Sequence, residues 1–232
     1  MEPTKAGTNS ILTSFSPQTI AALNPQVETT AFGRILARQG EECLDVWFPR
    51  TGTVISQVRS MSGGQQVEIG LVGSEGLFSF DGLLDSRPLF TNGIVQVAGS
   101  ASRVSRIRLA SVLEDSSVRA RLLAAAGAHL EQVTQNAACN RYHSVEQRLC
   151  KWILMMSDRA GEVEFQITHE FISYMLGIRR AGVSIAIGNL TSDGLLDHSR
   201  NRLRIRDVGA MEERSCECLG VVRNAVDRSL AA

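Results

Sequence analysis

ITHEFISYMLGIRRAGVSIAIGNLTSDGLLDHSRNRLRIR, Ile167 to Arg206, decides how this 232-residue chain is read. Thr168 suits the cap of a helix, and Glu170 in the first turn complements the helix dipole. Phe171, Ile172, Met175 and Leu176 fall on one face of that helix. Gly177 lets the chain turn, and a second helix is expected from about Arg179 to Ser192, with Val183, Ile187 and Leu190 toward a core. After the Gly194-Leu195-Leu196 turn, Leu196 to Ile205 alternates around Ser199-Arg200-Asn201, with Leu203 and Ile205 inward and Arg202, Arg204 and Arg206 outward. Two short helices followed by a hairpin form a winged helix-turn-helix, a layout that points to double-stranded DNA.

Charge agrees with that partner only locally. The whole chain has 24 basic and 24 acidic residues. Between Arg179 and Arg206, six arginines (179, 180, 200, 202, 204, 206) stand against Asp193 and Asp197, a net +4. The second helix also begins oddly for stability. Arg179 and Arg180 sit beside the positive end of the helix dipole, where Ser, Thr, Asp or Asn would cap better. A polyanion against that end accounts for them, since phosphates and guanine edges are both good arginine partners.

Outward from this segment, short β-rich runs separated by Gly and Asn turns fill the region from about Glu28 to Ile107 and predict an antiparallel sandwich or roll. The runs are Val46–Phe48, Thr53–Val58, Gln66–Val72, Ile94–Val97 and Ser102–Val104. One or two short helices precede them between Ile11 and Leu23, with Pro17 early in a helix after Ser16. From Leu109 to about Thr134 the composition turns helical. There Leu113, Ser116, Ala120, Leu123, Gly127, Leu130, Thr134 and Ala137 recur at three- and four-residue steps. Such a narrow seam fits close packing on a partner helix, and fits equally an amphipathic helix lying on its own domain. His143 to Asp158 reads as another helix, with Ser144 and Gln147 spaced as a capping box. A last helix is expected from about Ala210 to Leu230.

Five cysteines (Cys43, Cys139, Cys150, Cys216, Cys218) without a C-x-x-C pattern read as free thiols in a reducing, cytoplasmic compartment. No signal peptide or membrane-length apolar run is visible, so no membrane partner is expected. The four histidines show no metal-ligand spacing, and no P-loop, Gly-x-Ser-x-Gly or dinucleotide fingerprint occurs, which argues against an enzyme. Cys216 and Cys218, if on one helix, point to nearly opposite sides and read as packed core thiols, so no metal site is expected. No cofactor is identified. An iron–sulfur cluster lacks its thiolates in the N-terminal region, and a haem lacks a histidine there.

Three stretches carry a family resemblance: VEIGLVGSEGLF (Val67–Phe78), CNRYHSVEQRLCKWIL (Cys139–Leu154) and ITHEFISYMLGIRRAGVSIAIGNLTSDGLL (Ile167–Leu196). With the long central helix between them, the chain resembles the Crp/Fnr transcription regulators over nearly its whole length. The resemblance implies an α+β protein with an N-terminal antiparallel β-roll of the cyclic-nucleotide-binding type (residues 1–108), a central dimerisation helix (109–140) and a winged helix-turn-helix (141–232). It implies a homodimer through Leu123, Gly127, Leu130, Thr134 and Ala137, reading a two-fold operator, with RNA polymerase as a further candidate partner of the β-roll surface.

Residues expected on DNA are Thr168, His169, Arg179, Arg180, Ala181, Ser184, Ile185, Arg200 and Arg202. Many relatives carry Arg-Glu-x-x-x-Arg on the recognition helix. Arg180 keeps the first position, while Ala181 and Ile185 replace the glutamate and second arginine, so a different operator is expected.

The effector pocket is expected around Glu75, Gly76, Leu77, Arg87 and Leu89. Here Gly73-Ser74-Glu75-Gly76 displaces the family's glutamate by one, and Pro88 removes a donor beside Arg87. Cyclic AMP and cyclic GMP are therefore disfavoured, and the small-molecule effector is unknown. The competing reading is a responsive module whose winged helix contacts protein instead of DNA.

Overall fold

The computed structural model describes residues 7–84 and 88–232. The chain opens with α1 (Ser10–Ser14) and α2 (Pro17–Leu23), each capped by a side chain: Asn9 accepts from Ile11 and Leu12, and Ser16 from Thr19. Pro17 occupies the first turn of α2, where its missing N–H costs nothing.

Two antiparallel sheets follow. One has the order β1 (Gln26–Thr30), β7 (Gly99–Ser105), β3 (Asp45–Pro49). The other has the order β2 (Ile35–Ala37), β6 (Asn92–Val97), β4 (Val54–Ser60), β5 (Gln66–Val72). The short helix α3 (Asp81–Leu84) lies between β5 and β6. All five predicted runs are strands. β1 and β2 were not predicted, because Gln26–Thr30 is polar and largely exposed and Ile35–Ala37 spans only three residues.

The helical stretch after the roll is two helices, not one: α4 (Arg106–Ser111) and α5 (Ser116–Tyr142). Asp115 starts the second by accepting from Ser117 and Val118. Leu113 therefore precedes α5, and α5 runs eight residues beyond Thr134. One face of α5 buries Val118, Leu122 and Ala125. Gln132 fixes it to β5 by pairing its side-chain amide with both backbone groups of Leu71, donating at 3.0 Å and accepting at 3.3 Å.

The remainder is α6 (Val145–Ala160), β8 (Glu164–Gln166), α7 (His169–Leu176), α8 (Arg180–Ser192), β9 (Leu196–Ser199), β10 (Arg202–Ile205), α9 (Val208–Arg214) and α10 (Cys218–Ala231). The capping box of Ser144 and Gln147 forms in full at α6. β8, β10 and β9 make a third antiparallel sheet in that order. The single helix expected from Ala210 to Leu230 is broken at Ser215–Glu217, and α10 turns back along α5.

One hydrophobic core joins the roll to the C-terminal helices. Val54, Val58 and Leu71 of the roll pack in the same cluster as Leu149, Trp152 and Ile153 of α6 and Ile172, Met175 and Leu176 of α7. Within it Glu68 of β5 is buried, accepting from Trp152 Nε1 at 3.1 Å and Ser56 Oγ at 2.8 Å. Burial pushes its carboxyl up to about 7, with those two hydrogen bonds and the charges of Lys151 and Arg159 opposing.

Candidate nucleic-acid interface

Thr168 caps α7 by accepting from the Phe171 N–H at 3.1 Å. Gly177 ends α7 at φ 62°, a conformation that L-residues avoid, and a Cβ there would also approach Val67 of β5 at 3.2 Å. The chain then turns directly into α8, whose Val183, Ala186, Ile187 and Leu190 are buried. That packing leaves Arg180, Ala181, Ser184, Ile185 and Gly188 on the opposite, exposed face. Ile185 is 66% exposed, an apolar side chain on an otherwise polar surface.

Arg179 is the N-cap residue of α8 and makes no side-chain capping bond. Among the described residues neither Arg179 nor Arg180 has an ion-pair partner. Both stand at the end of α8 where free backbone N–H groups also face solvent. Cations, free donors and the positive dipole end thus share one spot, which suits an anion.

The wing differs from its expected form. All six arginines of the segment are exposed, but two are paired within the chain: Arg202 with Glu164 of β8, and Arg206 with Asp197 of β9 at 2.7 Å. Arg202, expected on DNA, faces outward as expected but carries this partner. β10 lies between β8 and β9, so each side of the wing brings a carboxylate to it. Arg200 and Arg204 remain without an ion-pair partner among the described residues. Arg200 turns the hairpin at φ 52°, a left-handed conformation that costs a non-glycine residue about 1 kcal/mol or more.

His169 and Ser184, both expected on DNA, bond to each other: His169 Nδ1 lies 2.9 Å from Ser184 Oγ. The His169 ring also stacks against His198 of β9, centroids 4.4 Å apart. This contact ties α7, α8 and the wing at one point. Burial, then mutual repulsion with His198 and Arg180, holds His169 below the ordinary histidine value, and burial does the same for His198.

Along α5, Ser116, Ala120, Leu123, Gly127, Leu130, Thr134 and Ala137 are all exposed, with Leu123 at 60% and Leu130 at 66%. The seam lies opposite the face that covers the roll.

At the expected effector pocket, Glu75 pairs with Arg159 of α6 at 2.8 Å and accepts from the Gly73 N–H at 3.0 Å. Glu75, Gly76 and Leu77 line a cavity of about 40 Å³ closed by Phe80, His129 and Val222. That holds a few waters, well below the roughly 300 Å³ at which ligand pockets begin. Leu89 is not in its wall: its backbone instead clasps Gly40 and Glu41. Arg87 lies outside the described residues.

Cys139, His143, Cys216 and Cys218 come together although the sequence pattern separates them. The break before α10 is the reason. Cys216 is in the connection, not on the helix of Cys218, so both turn toward α5. Cys139-x-x-x-His143, one helical turn apart, is the sequence signal that points to the grouping.

Residues 147–214 match the Crp-like helix-turn-helix domain. Among solved structures, the chain is similar to a transcriptional regulator of the CRP family from Thermus thermophilus, at 15% identity and TM-score 0.69, over 81% of this chain and 96% of that one. It is similar to FixK2 from Bradyrhizobium japonicum at 17% identity and TM-score 0.69, over 83% and 98%. The c-di-GMP responsive global regulator CLP of Xanthomonas campestris follows at 16% and 0.66, over 83% and 100%. No curated protein sequence matches the chain. The protein therefore has the Crp/Fnr regulator fold and carries a Crp-like helix-turn-helix. Among the described residues no helix is long and apolar enough to cross a membrane.

Proposed function

We propose that this protein, with its Crp/Fnr fold and Crp-like helix-turn-helix, is a DNA-binding transcription regulator that acts as a homodimer on a two-fold operator. The observation that carries the reading is the start of α8, where Arg179 and Arg180 stand exposed beside free helix N–H groups and have no ion-pair partner among the described residues. α8 lies in the major groove. Arg180 reaches a guanine edge or phosphate, Ala181 and Ile185 meet thymine methyls, and Arg200 and Arg204 of the wing hold the flanking backbone. Thr168 and His169 begin α7 next to that surface, and Ser184 makes its contact from a hydroxyl already oriented by His169.

The exposed stripe around Leu123, Gly127, Leu130, Thr134 and Ala137 supports a parallel pairing of two α5 helices, which spaces two copies of α8 one helical turn apart. The roll is the responsive part, and its effector lies outside the cyclic nucleotides. Glu75 is already engaged by Arg159, and the cavity that it lines with Gly76 and Leu77 is only about 40 Å³.

Binding-site selection on random DNA tests the whole reading. The expected result is an inverted repeat with fewer obligatory G·C positions than the usual family half-site, bound with a steep inverse dependence on salt. Selection of no DNA, or a salt-insensitive complex, would favour a winged helix that contacts protein. Leu130→Glu should yield monomers in light scattering and abolish operator binding. Tight calorimetric binding of cyclic AMP or cyclic GMP would overturn the effector reading.

A further inference from the structure

At the joint between α5 and α6, four metal-ligating side chains converge. Cys139 lies in the last turn of α5, His143 caps that helix, Cys216 sits between α9 and α10, and Cys218 opens α10. Their ligand atoms all lie within 4.8 Å of one another. The three cysteines are buried, and the His143 side chain is only 16% exposed. Cys139 Sγ is 3.6 Å from Cys216 Sγ, and Cys218 Sγ is 3.5 Å from His143 Nδ1. A zinc ion with Zn–S of about 2.3 Å and Zn–N of about 2.0–2.1 Å sets tetrahedral edges of about 3.8 Å between sulfurs and about 3.5 Å between sulfur and nitrogen. The side chains already hold two edges of that figure.

The surroundings fit as well. His143 Nε2 lies 3.1 Å from the Glu217 carboxylate, which holds the proton on Nε2 and leaves the Nδ1 lone pair facing the sulfurs. Gln135 Nε2 donates to Cys218 Sγ at 3.0 Å, a bond that steadies a thiolate. Three thiolates, a neutral imidazole and a divalent ion carry a net charge of −1. The buried ammonium of Lys151, which interacts with Cys139, offsets it.

We propose that Cys139, His143, Cys216 and Cys218 bind one zinc(II) ion, closing a structural Cys₃His site that clamps the end of the dimer helix to the start of α10. A single disulfide between Cys139 and Cys216 would use two of the four groups and give no reason for the His143–Cys218 approach beside it. A multi-iron cluster holds its thiolates farther apart than a single ion does. The proposal stands on its own geometry and does not depend on DNA binding.

The test uses the full chain, purified under reductant and supplied with zinc. Elemental analysis should find one zinc per chain, and cobalt(II) in its place should give the intense visible bands of tetrahedral thiolate coordination. Cys43→Ser, remote in the roll, should keep that stoichiometry, and Cys218→Ser should lose it. Glu217 is 74% exposed, so Glu217→Gln should fold normally. It should keep one zinc but weaken it about 10- to 100-fold in competition with a chelator, as loss of such a supporting carboxylate does.

Should Cys218→Ser fail to fold, alkylation of the unaltered chain decides. A chelator should expose Cys139, Cys216 and Cys218 to modification and leave Cys43 unchanged. The proposal is overturned by a reduced, zinc-supplied chain that retains no metal, by a six-coordinate cobalt spectrum, by alkylation indifferent to the chelator, or by a Cys139–Cys216 disulfide that persists in reductant with zinc present.

Discussion

Arginines occur in two exposed groups, at the start of α8 and along the wing, and the chain treats them differently. Among the described residues Arg179 and Arg180 have no ion-pair partner, at a helix end where their charge is unfavourable for the fold. In the wing, Glu164 and Asp197 hold Arg202 and Arg206 on either side of the exposed Arg204. Composition alone counts six equal cations. The fold divides them into charges paired within the chain and charges with no ion-pair partner among the described residues.

Removing the free pair should break the contrast most clearly. Arg180→Ala is expected to weaken operator binding about 10- to 100-fold, the cost of one arginine on a base edge. Arg179→Ala should act similarly or through phosphate alone, in which case the salt slope falls by about one and sequence preference is unchanged. If both variants bind like the parent, the α8 start is a solvated surface.

Next in size is the wing tip. Arg200→Gly should relax the left-handed turn and raise the melting temperature, because glycine adopts φ 52° freely. It should still weaken DNA binding several-fold. A variant both more stable and weaker in binding shows that the strain is kept for the contact.

The smallest binding effect belongs to Arg202→Ala, at most about two- to three-fold, since its partner Glu164 must be surrendered before a phosphate is gained. Glu164→Gln sharpens the point: freeing Arg202 should strengthen non-specific binding at low salt.

A last prediction concerns stability rather than DNA. Glu68, raised to about 7 from 4.5, keeps its proton in the folded chain where the unfolded chain has lost it. Its contribution is complete below about pH 4.5 and is lost as pH rises through about 7. His129, held down to about 4 from 6.5 by burial and Arg159, works in the opposite sense: its contribution is present above 6.5 and lost as pH falls toward 4. The two offset one another between pH 4.5 and 6.5. Denaturant unfolding of Glu68→Gln should therefore show stability climbing with pH across that window, where the parent stays nearly flat.

Much of this was legible in the sequence where local rules decide. Thr168, Ser144 with Gln147, and Gly177 carry cap chemistry that needs no distant partner, and each occupies its expected place. Long-range features were not legible. Glu164 meets Arg202 only because β8 pairs with β10 across 38 residues of chain. Glu75 meets Arg159 of α6 across 84 residues of chain. Cys139 and Cys216 lie 77 positions apart, and no helical period foretells the break at Ser215–Glu217 that aligns them.

The core shared by β4, β5, α6 and α7 has a mechanical consequence. Because Val58, Leu71, Trp152 and Met175 belong to one packed cluster, the helix-turn-helix is not a module on a loose tether. Heating should melt roll and helix-turn-helix in a single calorimetric step. Any ligand that shifts strand β5 by an ångström moves α7 with it, since a close-packed interior transmits displacement rather than absorbing it. Roll and helix-turn-helix are then one packed body, joined through the cluster that holds Trp152.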